Sequence, residues 1–287
     1  MQAIWMTDTH FDFIDTATKS ALAGRLRGST AQRLLLTGDI ATGTDVTEWL
    51  MWLTEVFAGD IHFVLGNHDY YNSSLAIVDQ QVGALNHPRL HWCDQSGVIS
   101  LDESSALVGT GGWGDTGYGN FMETPIRLND HRLIAELSNI PRPELMQRLQ
   151  RRGQEYAAQL RTYLRTAVQQ HSRVWVLTHV PPFEESCWYK EHWGAWEWTA
   201  DFGCKAVGDV LLELAEANPG CQFNVLCGHG HNPGFADMRS NLRVRTGSAE
   251  YRNPRIELTL DLRVDLRGDG IPSVIAAPQR RNGFIQK

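Results

Sequence analysis

Five short apolar runs limit most strongly what this 287-residue chain can fold into. They are "AIWM" (3–6), "RLLLT" (33–37), "IHFVL" (61–65), "VWVLT" (174–178) and "FNVLC" (223–227), and each stops at a polar or glycine-rich turn. Strands this short and this continuously apolar fit a sheet covered on both faces. Between them, apolar residues recur at helical spacing: Val46, Trp49, Leu50, Leu53, Val56 and Phe57; then Tyr156, Leu160, Tyr163, Leu164, Ala167 and Val168; then Val207, Val210, Leu211 and Leu214. Strand and helix in alternation predict a layered α/β or α+β sandwich, a β-sandwich flanked by helices. Further on, "LRVRTGS" and "RIELTLDLRVD" alternate as strands do when one side faces water.

No internal repeat or low-complexity linker divides the chain, so residues 1–287 read as a single domain. The least regular stretch, about 112–155, holds "GGWGDTGYGN" and then an Arg-rich helical pattern, and is a candidate cap or insertion. A Trp-rich loop at 183–204 is a second irregular feature. Apolar residues at 42% leave room for a large core, and a net charge of −7 argues against a general nucleic-acid coat. The five cysteines (Cys93, Cys187, Cys204, Cys221, Cys227) show no paired spacing and read as reduced thiols. With no leader-like start and no apolar run near the ~20 residues of a membrane span, the expectation is a cytoplasmic protein with no membrane partner.

All five apolar runs end in metal-capable side chains. "DTH" (Asp8, His10) follows the first, "GD" (Asp39) the second and "GNHD" (Asn67, His68, Asp69) the third; His179 follows the fourth, and "GHGH" (His229, His231) the fifth. Ligands collect at the carboxyl ends of parallel strands, where loops converge on a rigid base. Imidazole, carboxylate and amide without thiolate suit manganese, iron or zinc in a reactive site better than a structural zinc. Six or seven donors exceed one tetrahedral ion and fit two that share a carboxylate.

In this order and with these glycines, "DTH … GD … GNHD … H … GHGH" resembles the calcineurin-like metallophosphoesterases. The resemblance implies a four-layer fold and a dinuclear centre that hydrolyses phosphate esters with a metal-bridging hydroxide as nucleophile. Asp8, His10, Asp39 and His231 would hold one ion. Asp39, Asn67, His179 and His229 would hold the other, with Asp39 bridging. His68 would serve as general acid or as a cation against the leaving oxygen, and Asp69 would orient it by accepting from its other ring nitrogen. Gly66 would allow the tight turn that aims the three.

Other residues have weaker claims. In "CWYKEHWGAWEW", His192 and Trp193, with Trp188, Trp196 and Trp198, either seal a loop or form an aromatic wall for a flat leaving group. "GTGGWGD" and "LNDHRLI" resemble segments of bacterial family members; Asn129, Asp130 and Arg132 would reach the substrate phosphate, or Asn129 or Asp130 would cap a helix. "RLQRR" (148–152) reads as a solvated helix face, with a basic edge as the alternative. The leading reading is a phosphate-ester hydrolase. A nuclease is the disfavoured alternative, and a non-catalytic, metal-bound interaction protein ranks below it.

Overall fold

In the computed structural model, which describes residues 1–194, 196–268 and 270–275, the apolar runs form the centres of two sheets. With elements numbered in chain order, the first sheet aligns β1 (Gln2–Met6), β2 (Arg33–Thr37), β3 (Asp60–Val64) and β4 (Leu90–Trp92) in parallel. β13 (Leu258–Asp261) adds antiparallel to β1. The second sheet runs β5 (Ile99–Ser100), β6 (Ser105–Gly109), β7 (Arg173–Leu177), β10 (Gln222–Cys227), β12 (Leu242–Thr246), β11 (Gly234–Arg239), β14 (Ser273–Ile275). Its middle four strands, β6 to β12, are parallel. The hairpin of β8 (Trp188–Tyr189) and β9 (His192–Trp193) stands apart.

Both faces of each central strand are buried, which explains why the runs do not alternate. Ala3, Trp5, Leu35 and Val64 meet Leu107, Trp175, Leu177 and Leu226 between the sheets. On the outer face of the first sheet, Ile4, Met6, Leu34 and Leu36 pack under α1 (Thr16–Arg27), α2 (Val46–Val56) and α3 (Leu75–Gly83). α6 (Arg142–Ala167) and α8 (Lys205–Ala217) cover the second sheet through Leu160, Leu164, Val207 and Leu211. The result is four layers, helix–sheet–sheet–helix. Trp5 and Trp175 are wholly buried, and their indole N–H groups donate to Thr37 Oγ1 at 3.0 Å and to the Leu262 carbonyl at 2.9 Å.

Three shorter helices, α4 (Cys93–Ser96), α5 (Asp130–Leu133) and α7 (Trp196–Phe202), lie in the connections. The second part of the expected cap, from Arg142 on, is the first half of α6, with Pro143 in its opening turn. Its basic run is not uniformly solvated. Arg148 pairs with Glu144 at the surface, whereas Arg152 is inside, over the rings of Tyr70, Trp113 and Tyr156 at 4.8–5.4 Å. All five cysteines are buried and unpaired. Among the described residues, no helix is long and apolar enough to cross a membrane.

In the middle of β3, His62 is fully buried. Its Nε2 is 2.7 Å from Arg33 Nη1, and its ring stacks on His91 at 4.7 Å. Burial first, then the Arg33 charge, pushes its imidazole down to about 3. An unfolded chain would bind a proton at this histidine below pH ~6.5, so the stability it supports is complete above that value and is lost as pH falls toward 3. In urea unfolding between about pH 6 and 4, His62→Gln should flatten the pH slope by up to about 1.4 kcal/mol per pH unit. Identical slopes would show that His62 titrates alike in both states.

Candidate metal centre

Parallel strands in register end at one level, so the turns after β1, β2, β3, β7 and β10 bring Asp8, His10, Asp39, Asn67, His68, His179, His229 and His231 together. The two sheets also touch here: His179 Nδ1 donates to the Thr37 carbonyl at 2.8 Å. Asp8, His10, Asp39, His229 and His231 all have φ between 40° and 67°, a left-handed backbone that ordinary residues avoid. Each such residue costs of order 1–3 kcal/mol, and clusters of them mark functional sites. Gly66 and Gly228 are needed for space. A Cβ on Gly66 would collide with Asp39 Oδ1 and His179 Nε2, and one on Gly228 would collide with Asp8 Oδ2. The expected role of Gly66 changes accordingly: its φ is not in the left-handed region, and the constraint is close approach.

Two groups of donors meet at Asp39: Asp8, His10, Asp39 and His231, and Asp39, His179 and His229, with ligand atoms in each group within 4.8 Å of one another. Asn67 Oδ1 joins the second at 3.0 Å from His179 Nε2, and Asp39 Oδ1 is 3.3 Å from that same nitrogen. Because His179 Nδ1 carries its proton toward Thr37, Nε2 presents a lone pair to two oxygens that are also acceptors. His10 Nε2 and His231 Nε2 are 3.2 Å apart, and His231 Nε2 is 3.3 Å from Asp8 Oδ1. A set of potential ligand atoms this crowded fits cations.

Burial holds His10 and His229 at about 3, the neutral form that ligates metals. Burial works to raise Asp8, but the His231 hydrogen bond and the His179, His231 and His10 imidazoles outweigh it and hold Asp8 below the usual carboxylate range. Burial and the neighbouring Asp8 and Asp69 carboxylates push Asp39 well above that range.

Asp69 departs from its expected role. The short turn His68–Tyr70 carries its carboxylate under the site, where Oδ1 accepts from Ile40 N (2.8 Å) and Ala41 N (2.9 Å) and Oδ2 from Gly66 N (2.8 Å). It ties the β2 turn to the β3 turn and does not hold the His68 ring. His68 instead packs against Tyr71, ring centroids 4.2 Å apart, and against His10 at 4.6 Å.

A model of the calcineurin-like phosphoesterase family matches residues 1–233. The chain belongs to the calcineurin-like phosphoesterase family. Hydrolysis of phosphoric esters is the activity that membership carries. Phosphopantetheinyl hydrolase from Mycobacterium tuberculosis superposes with a TM-score of 0.65 at 16% identity, over 88% of this chain and 90% of that one. A dimetal phosphatase from Danio rerio gives 0.53 at 11%, over 86% and 87%. At these identities the likeness is one of fold. No curated protein matches the chain in sequence.

Beside the centre of this phosphoesterase lies a cavity of about 370 Å³. Tyr71, Trp188, Tyr189, Trp198, Phe202 and Tyr251 supply its aromatic lining, and Arg127, Asn129 and Asn232 its polar edge. The Trp-rich loop thus lends Trp188, Tyr189, Trp198 and Phe202 to this lining, but His192 and Trp193 are not in it. The β8–β9 hairpin leaves both exposed, beside Pro272 and Ser273. The Trp196 side chain lies outside the described residues.

Neither Asp130 nor Arg132 lines the cavity. Asp130 is buried behind Asn67, and Arg132 is exposed and donates to Asn129 Oδ1 at 3.0 Å. Asn129 precedes α5 without capping it. Tyr71, Arg127, Phe202 and Tyr251 escaped the sequence reading. Tyr71 alone had a signal, since it directly follows "GNHDY". A third cluster, Asp60, His62 and His91, is occupied by Arg33, which reaches Asp60 Oδ2 at 3.3 Å as well as His62.

Asp69→Asn separates the two roles for that residue. An amide in its place would turn a donor toward at least one of the three backbone N–H groups. The variant should lose about 2–4 kcal/mol of stability in denaturant unfolding, with the pH dependence of turnover unchanged. A pH profile that moves while stability stays put would restore Asp69 to the imidazole.

Proposed function

We propose that the protein hydrolyses phosphate esters whose organic group is flat and largely apolar, using two divalent or trivalent ions. What carries the reading is the convergence of ligand atoms at His179 Nε2, which faces Asp39 Oδ1 at 3.3 Å and Asn67 Oδ1 at 3.0 Å while its own Nδ1 proton is committed to Thr37. Asp8, His10 and His231 would hold one ion, Asn67, His179 and His229 the other, and Asp39 both. Manganese, iron and zinc all suit these donors. When bound, such a pair neutralises phosphate charge and makes water a competent nucleophile near neutral pH.

His68 would face the leaving oxygen. Burial, then the neighbouring His10 and His179, pushes its imidazole down to about 2, so at neutral pH it enters the reaction as a neutral donor of one N–H. The negative charge of a bound phosphate would favour its protonated form and so its action as an acid. Trp198 and Phe202 would pack against the organic group, and Arg127 would meet a polar part of it. The same lining weighs against a nucleic-acid polymer. Among the described residues that line the cavity, Arg127 is the one Lys or Arg, whereas a phosphate backbone draws several.

With manganese added, p-nitrophenyl phosphate or its bis-ester should be cleaved, and chelation should abolish turnover. Asp39→Ala should be inactive; full activity in that variant refutes the two-ion reading. Trp198→Ala should raise KM for the aryl ester by about 2–10-fold and leave KM for a short alkyl phosphate alone. Equal effects on the two esters would remove the aromatic subsite from the proposal.

A further inference from the structure

We infer that Asp130 and His131, adjacent on α5, are positioning residues that together fix two ligands of the second ion, Asn67 and His229. The inference rests on the two-ion reading above and adds to it a pair of residues that touch neither ion nor substrate.

Asp130 acts on Asn67. It is 3% exposed, and its Oδ1 accepts from Asn67 Nδ2 at 2.8 Å and from the Tyr71 hydroxyl at 2.6 Å. Asn67 Nδ2 also donates to Tyr71 Oη at 3.1 Å, which closes a ring of three hydrogen bonds. An asparagine amide can present either end to a site. Here both Nδ2 hydrogens are engaged on the far side, so Oδ1 is the end that faces His179 Nε2 and the cation position. The same bond holds the Tyr71 ring against His68, the contact that replaces the one expected from Asp69.

His131 acts on His229 through Asp201. His131 Nε2 is 3.3 Å from Asp201 Oδ1, with side-chain exposures of 9% and 2%. The Asp201 carbonyl in turn accepts from His229 Nε2 at 3.3 Å. That bond places the proton of His229 on Nε2 and leaves Nδ1 as its ligand atom, as carbonyl and carboxylate partners of ligating histidines do. Asp201 lies on α7, which also brings Trp198 and Phe202 to the cavity, with the Phe202 ring 4.4 Å from that of His229. The His131–Asp201 side-chain contact thus holds in place both the carbonyl that sets a ligand's tautomer and the helix that carries part of the aromatic wall.

The test is a calorimetric titration of manganese into the metal-free full-length protein and its Asp130→Leu, Asp130→Asn and His131→Ala variants. The native protein should take up two ions. Asp130→Leu should weaken one of them by about 10–100-fold and spare the other. Asp130→Asn, which retains an acceptor oxygen, should recover most of the loss. His131→Ala should weaken the same ion and raise KM for an aryl phosphate more than for an alkyl one. A folded Asp130→Leu protein that binds both ions with native affinity, or weakens both alike, overturns the inference alone. If that variant does not fold, His131→Ala decides by the same criterion. A native protein that binds fewer than two ions overturns the inference together with the reading beneath it.

Discussion

The structure turns on the crowding of lone pairs around one carboxylate. Asp39 Oδ1 accepts from His68 N at 2.8 Å and stands 3.3 Å from His179 Nε2, while Oδ2 is 3.8 Å from His10 Nε2. Asp39 is 1% exposed on a left-handed backbone, so neither water nor a relaxed main chain relieves it. Such a group persists only where its surroundings over-determine it. Here the inter-sheet core does so: Trp5, Leu35 and Val64 against Trp175 and Leu226 fix where the strands end, and therefore where the turns must aim. Gly66 and Gly228 supply the missing volume.

Division of labour between sheet and loop follows. Every donor to the two groups at Asp39 comes from a turn directly after a parallel strand, whereas the cavity's aromatic side chains other than Tyr71 come from longer connections. Rigid strand ends suit ligation, which tolerates little displacement, and loops suit recognition of an organic group. The two kinds of element meet at α5 and α7, where loop residues grip ligand side chains from behind.

The order of the strand-end motifs made the centre legible in sequence, because a residue one or two places past a parallel strand has little freedom in where it goes. The layering was legible for the same reason: runs buried on both faces carry no alternation. Asp69 misled because sequence adjacency to His68 suggests a side-chain partnership. The turn His68–Tyr70 points successive side chains apart, and three backbone N–H groups hold the carboxylate instead. His192 and Trp193 misled because composition marks a loop as aromatic without saying which of its rings turn inward; a two-residue hairpin strand decides that. Arg127 left no signal, since its place depends on how residues 111–129 fold over the site.

Those residues are themselves held by long-range bonds. Asp115 of "GTGGWGD" accepts from Gly117 N at 2.9 Å, and from Lys205 N at 3.0 Å and Ala206 N at 2.7 Å, so it caps α8 from a distant loop. Its own N–H donates to the Gly203 carbonyl, and Thr116 N donates to Ala200 O, stitching the same loop to α7. The motif that resembles a segment of bacterial family members is here a clasp. It ties α7, which carries part of the cavity wall, to α8 on the second sheet. Because α7 is bound on one side to this clasp and on the other to His131 and His229, it cannot shift without disturbing His229. The cavity wall and the donor groups at Asp39 are thus tied together through a helix of seven residues.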